Sequence, residues 1–144
     1  MSAPVTIRPG RRRTSWYRLL LPWCAVLVAR TLANRPPARI RGVLVRLRGN
    51  ARPSTYEEAA RARADVVTVS TFCAGEGCLP RAIATALLCR ARGSWPTWCS
   101  GVRVMPFLAH AWVEVDGEPV DEPQPAGYHH ALIRIPPKER SAHQ

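Results

Sequence analysis

The chain has 144 residues, enough for one domain with a single core and too few for two. Its hydrophobic fraction of 47% fits a globular protein, and its formal net charge of +11 is unevenly spread. Residues 1–52 hold twelve arginines and no acid, whereas residues 53–144 hold nine Lys or Arg against ten Asp or Glu. The basic excess therefore belongs to an N-terminal segment, and the remainder is nearly neutral. Such charge attracts polyanions without regard to purpose. The Arg-rich part nevertheless shows no aromatic–basic interleaving, zinc-finger or helix-turn-helix pattern, which argues against nucleic-acid binding. Five cysteines, an odd number at irregular spacing, do not make a disulfide framework. Cys24, Cys89 and Cys99 read as small buried hydrophobes in a reducing compartment. Cys73 and Cys78 have no second Cys or His pair at ligand spacing, so neither a metal nor any other cofactor is expected.

In chain order, residues 1–13 are expected to be a disordered basic N-terminus, with Pro4, Pro9, Gly10 and Arg11-Arg12-Arg13 giving little to bury. Residues 14–144 are expected to form a single domain, with residues 14–52 as its helical N-terminal part. The apolar run from Leu19 to Ala29 superficially resembles a signal peptide. Arg18 and Arg30 bracket it, no small-residue cleavage site follows, and it is about half the length of a membrane span. A cytoplasmic protein is expected, with at most a loose membrane association through this basic and apolar segment. A helix is predicted over 15–34, with Pro22 near its first turns and Pro36-Pro37 ending it. Residues 38–52 leave a short helix or a strand open between Ile40 and Leu47. Ser54 and Glu57 fit a reciprocal capping box opening a helix that runs to about Ser70. The glycines of Ala74-Gly75-Glu76-Gly77 break that helix, and another begins near Cys78, where Pro80 falls in the tolerant first turn. Leu79, Ile83 and Leu87, with Ala82 and Ala86, form its apolar face, and Gly93 stops it.

After Pro96 the pattern changes to strands: Trp98 to Val104, His110 to Val115, Pro119 to Asp121 and Ala131 to Ile135, followed by a frayed tail. Asp116-Gly117 is a strong two-residue hairpin signal. The fold class is α+β, with N-terminal helices followed by a small antiparallel sheet.

A thiol, an imidazole and a carboxylate occur in order between Cys78 and Asp121. A cysteine in a helix's first turn feels the positive end of the helix dipole, which favours its thiolate. The unpaired N–H groups there can also hold an oxyanion. With Asp116 and Gly117 as loop residues, Val115 pairs with Glu118, and Trp112 falls opposite Asp121. Side chains alternate along a strand, so His110 shares the face of Trp112 and lies diagonal to Asp121. The register thus predicts a His110–Asp121 pair, which a one-residue change in the turn would destroy. The set suits attack by a thiolate on a carbonyl, proton donation by the imidazolium, and orientation of the ring by the acid.

Helices, then a helix opening with cysteine, then strands carrying His-x-Trp-x-Glu and an aspartate, resemble the papain-like transglutaminase superfamily. The ordered motifs Cys78-Leu79-x-Arg81, Gly101-Val102-Arg103, Pro106-Phe107 and Ala109-His110-Ala111-Trp112-Val113-Glu114-Val115-Asp116-Gly117 are similar to one branch in particular. That branch is the transglutaminase-like leader peptidase of lasso-peptide biosynthesis, and the likeness covers roughly residues 73–122. It implies a papain/transglutaminase-like core and a cysteine protease that cuts the leader from a ribosomally made precursor peptide at the leader–core junction. The freed core amine would pass to a separate ATP-dependent macrolactam cyclase. By the motifs Cys78 is nucleophile, His110 base and Asp121 orienting acid. The residues before Ser54 are too few, too basic and too apolar for the winged-helix leader-binding domain of fused forms. The resemblance therefore implies a separate leader-binding recognition protein, and the basic segment is expected to contact an acidic patch on that partner or on the leader.

Arg81, one turn into the helix, and Trp112, on the face of His110, are the candidate substrate-binding residues, Trp112 also as a shield for the pair. Glu114 shares that face and is expected to hold a loop, while His129 and His130 receive no role. No glutamine stands suitably before Cys78 to serve as a second oxyanion donor. The same triad with an amine acceptor would make an amide-forming acyltransferase or transglutaminase, and a basic polyanion-binding protein is the alternative from another class.

Overall fold

The computed structural model describes residues 19–70, 77–103 and 107–139. Helix α1, Leu20–Ala33, is apolar on nearly every side, and Pro22 sits in its first turn, where its missing N–H breaks no helical bond. One side buries Ala25, Val26, Ala29 and Leu32; the other leaves Leu20, Leu21, Trp23, Leu27 and Val28 exposed. Helix α2, Pro37–Arg48, opens on a proline at its first position. Its buried residues are Ile40 and Leu44, four apart on one helical face, so Arg39, Arg41 and Arg46 stay in solvent. That spacing settles as a helix the stretch that composition left open.

Strand β1, Arg52–Pro53, pairs in parallel with β2, Ser94–Trp95, and precedes helix α3, Tyr56–Val69. The expected capping box is present one residue later. Thr55 accepts from Glu58 N–H at 3.1 Å, and the Glu58 carboxylate takes the Thr55 N–H at 3.0 Å. Ser54 is drawn instead into the β1–β2 junction: its N–H donates to Trp95 O, and its hydroxyl meets that of Ser94 at 2.8 Å. A tertiary contact thus displaced the cap from Ser54 and Glu57.

Helix α4, Cys78–Ala91, is the centre of the molecule. The sequence marks one apolar face, but six consecutive residues, Arg81 to Ala86, are all buried, because α1, α3 and the sheet surround the helix. Its Ile83 and Leu88 are fully enclosed, each such side chain contributing about 1.5–3 kcal/mol. Gly93, with φ of +99°, turns the chain just beyond the helix.

The sheet has strand order β5-β4-β3-β6 and is antiparallel throughout, built from β3 (Thr97–Arg103), β4 (Leu108–Val115), β5 (Glu118–Pro119) and β6 (His130–Ile135). The fold class expected from the sequence is the one observed. Trp98, Val113 and Ile135 are cross-strand partners in the hydrophobic core. Cys99, Trp112 and Arg134 form the next row, on the opposite face of the sheet. Among the described residues no helix is long and apolar enough to cross a membrane.

Candidate active site

Cys78 is the first residue of α4, after Gly77, and no side chain caps that helix end. The first-turn N–H groups and the positive end of the helix therefore face the thiol's surroundings. His110 lies on β4 next to the helix, directly opposite Gly101 of β3. The His110 ring and the Ala111 N–H both lie close enough to the Cys78 sulfur to act on it as hydrogen-bonding groups. Sulfur and imidazole, distant in sequence, are brought together by the packing of α4 on β4.

The carboxylate at the imidazole is Glu122. Its Oε2 lies 3.3 Å from His110 Nε2, and its side chain is only 7% exposed. The expected His110–Asp121 pair does not form. The hairpin register holds as read, with Val115 opposite Glu118 and Glu114 opposite Pro119, and Val120 N–H still bonds Val113 O at 2.9 Å. One residue later Asp121 adopts φ of +50°, which ends the alternation. Its N–H and Oδ1 are taken by the Tyr56 hydroxyl of α3, at 3.1 and 3.4 Å, and Asp121 itself is exposed. The next residue, Glu122, then turns back to the ring, with Arg63 at 4.0 Å from its other oxygen.

These contacts set the titration of the pair. The His110 ring is pushed up to about 9, first by its hydrogen bond to Cys78 and next by Glu122. The Cys78 thiol is held below its ordinary value, first by the His110 hydrogen bond, then by the Ala111 N–H and the charges of His110 and Arg81, against the opposing effect of burial. Both shifts favour a thiolate–imidazolium pair, whose two protons titrate as one coupled system. With Nε2 turned to Glu122, Nδ1 is the ring nitrogen available to the sulfur. By contrast Cys89 and Cys99 are pushed up to about 11 and about 12, mainly by burial, and are inert thiols.

Arg81 is 8% exposed, so it acts from the interior as a nearby positive charge, and it is not a solvated arginine. Trp112 is 5% exposed and stacks on His110, with ring centroids 5.7 Å apart and planes 14° from parallel. Its indole N–H donates to Glu114 Oε2 at 3.0 Å, and Glu114 pairs with Arg134 of β6 at 2.6 Å. Glu114 therefore steadies the tryptophan, where the sequence suggested a loop. A cleft of about 110 Å³ opens beside the imidazole, lined by His110, Trp112, Glu122, Gln124 and His129 among others. Cys78 is not among the residues that line it. Among the described residues no three His, Cys, Asp or Glu side chains are grouped to hold a metal.

A thiol at a helix N-terminus beside a strand imidazole, on a helix-plus-antiparallel-sheet core, is the arrangement that acyl transfer through a thioester requires. The particular family follows from sequence comparison: the Transglutaminase-like superfamily model matches residues 23–133, and the chain belongs to that superfamily. No curated protein and no solved structure matches the chain.

Proposed function

We propose that this protein is a cysteine peptidase that removes the leader from a ribosomally made lasso-peptide precursor. The observation that carries the peptidase chemistry is the Cys78–His110 pair, with its depressed thiol and raised imidazole. The ordered motifs from Cys78 to Gly117 support the choice of substrate. In this reading the Cys78 thiolate attacks the carbonyl at the leader–core junction, and the first-turn N–H groups of α4 receive the oxyanion. The His110 imidazolium donates its proton to the departing amine of the core, leaving the leader as a thioester on Cys78. Water, deprotonated by His110, then releases the leader acid and restores the thiol. Glu122 takes the place expected of Asp121: it holds the ring and stabilises its positive form.

The freed core amine is the nucleophile that a separate ATP-dependent cyclase needs for lactam closure. A separate leader-binding protein delivers the precursor, and the Arg-rich segment before Pro53 meets it through charge, so their affinity falls as salt rises. Mass spectrometry of a candidate precursor, incubated with this protein and the leader-binding partner, tests the reading. Free leader and free core are expected from the wild type, and intact precursor from Cys78→Ala at retained fold. A leader joined to an added amine, in place of free leader acid, would assign the thioester to amide formation instead. Cleavage by Cys78→Ala at the wild-type rate would sink the mechanism.

A further inference from the structure

His129 lies in the loop between β5 and β6, outside the set of residues that the chemistry above uses. Its ring is stacked on His110 with centroids 4.5 Å apart and an interplanar angle of 26°, and it lies 5.5 Å from Trp112. The three rings form one cluster around the imidazole. Two features hold this loop in place. Tyr128 packs edge-on against His129 at 4.9 Å, and its hydroxyl accepts from Arg103 of β3 at 2.7 Å. Gly101, the residue directly opposite His110, supplies the room: a Cβ there would lie 2.0 Å from His130 O and 2.9 Å from Ala131 Cα. The bare backbone at Gly101 thus lets the chain after His129 cross tightly over β3, where the β3–β6 register shifts.

We propose that His129 is a positioning residue: its ring, anchored through Tyr128 and the close crossing at Gly101, clamps the His110 imidazole between Cys78 and Glu122. The proposal rests on the thiolate–imidazolium reading of the site. A ring held by His129 and Trp112, which also pack on each other, loses little orientation between turnovers, which is what a proton donor needs. The groups facing this cluster are Glu122 and Arg63 on one side, Arg81 and Cys78 on the helix side, and Arg103 beside Tyr128. His129 is itself held below its ordinary value by burial and by the charge of His110, which favours its neutral form beside the imidazolium.

Iodoacetamide alkylation of Cys78 in the full chain, followed by pH and resolved by peptide mass spectrometry from the other cysteines, tests the clamp without any substrate. With the ring released in His129→Ala, the thiolate loses its main hydrogen bond. The acid limb of alkylation should then move up by about one pH unit, a roughly 10-fold slower reaction at pH 6. His129→Phe keeps a stacking face and should retain the wild-type limb. Tyr128→Ala, at an exposed position, should shift the limb the same way by less, and it serves if His129→Ala does not fold. With precursor, His129→Ala should lower kcat with little change in KM. An unchanged limb in both His129→Ala and Tyr128→Ala overturns the clamp. So does a limb moved to lower pH, as simple relief of desolvation gives, or a His129→Phe protein that behaves like His129→Ala. Intact precursor with a normal alkylation limb would count against the leader-peptidase reading and leave the clamp standing.

Discussion

The ribbon from Leu108 to Val120 carries the His110 imidazole, and the loop from Asp121 to His129 brings Glu122 and His129 against it. The ribbon obeys a ladder: each residue's face follows from its neighbour's, and Val115 meets Glu118 as the Asp-Gly turn requires. The loop obeys local contacts: Asp121 is held by Tyr56, Glu122 by His110, and His129 by Tyr128 and the rings it touches. The ribbon therefore carries the imidazole, and the loop carries the carboxylate and the ring that contact it. Periodicity positions side chains only as far as the strand pairing runs. Past Val120 one residue in a left-handed conformation is enough to exchange an aspartate for a glutamate.

The largest expected effect separates those two acids. Glu122→Gln should lower leader release by roughly 10²- to 10⁴-fold, the range for an acid that fixes a catalytic histidine, while Asp121→Asn should stay within about 3-fold of wild type, well under 1 kcal/mol of barrier. The pH profile sharpens the contrast. In the proposed mechanism the imidazolium is the proton donor, so activity should fall as pH rises through about 9. Glu122 is a cause of that raised value, so Glu122→Gln should move the alkaline limb to lower pH and Asp121→Asn should leave it in place. Equal limbs in the two variants would remove Glu122 from the site.

Next in size is Gly101→Ala, which sets a methyl group against the crossing chain at His130 O. Urea unfolding should show a loss of about 1–3 kcal/mol, as for overpacking elsewhere, and the Cys78 alkylation limb should move with it. A variant as stable as wild type would mean that the crossing is not tight. The smallest effect belongs to Tyr56→Phe, which removes both hydroxyl contacts to Asp121. Thermal unfolding should report about 0.5–1.5 kcal/mol, the net worth of such a bond, with activity reduced only through the turn that presents Glu122. A loss as large as that of Glu122→Gln would give Tyr56 a direct part in the site.

Much of this was legible in the chain. Gly77 and Pro80 mark the helix that Cys78 opens, and Asp116-Gly117 sets the register that places His110, Trp112 and Glu114 on one face. These are rules of near neighbours, where a turn type or a helical first position acts over a few residues. The capping box was readable in kind but not in place, because Ser54 had a distant partner in Ser94. Short apolar stretches such as Ile40 to Leu47 do not choose between helix and strand until a neighbour buries one face.

The amino-acid sequence by itself determined the fold class, the thiol at a helix mouth and the imidazole on a strand, because each follows from steric and periodic constraints on adjacent residues. Only the tertiary structure decided which carboxylate reaches the ring, that Arg81 lies inside, and that His129 covers His110. Those outcomes depend on φ at one residue, on the absence of a side chain at Gly101, and on contacts between segments far apart in the chain. No local pattern encodes such contacts, since their energy exists only once the core has brought the segments together.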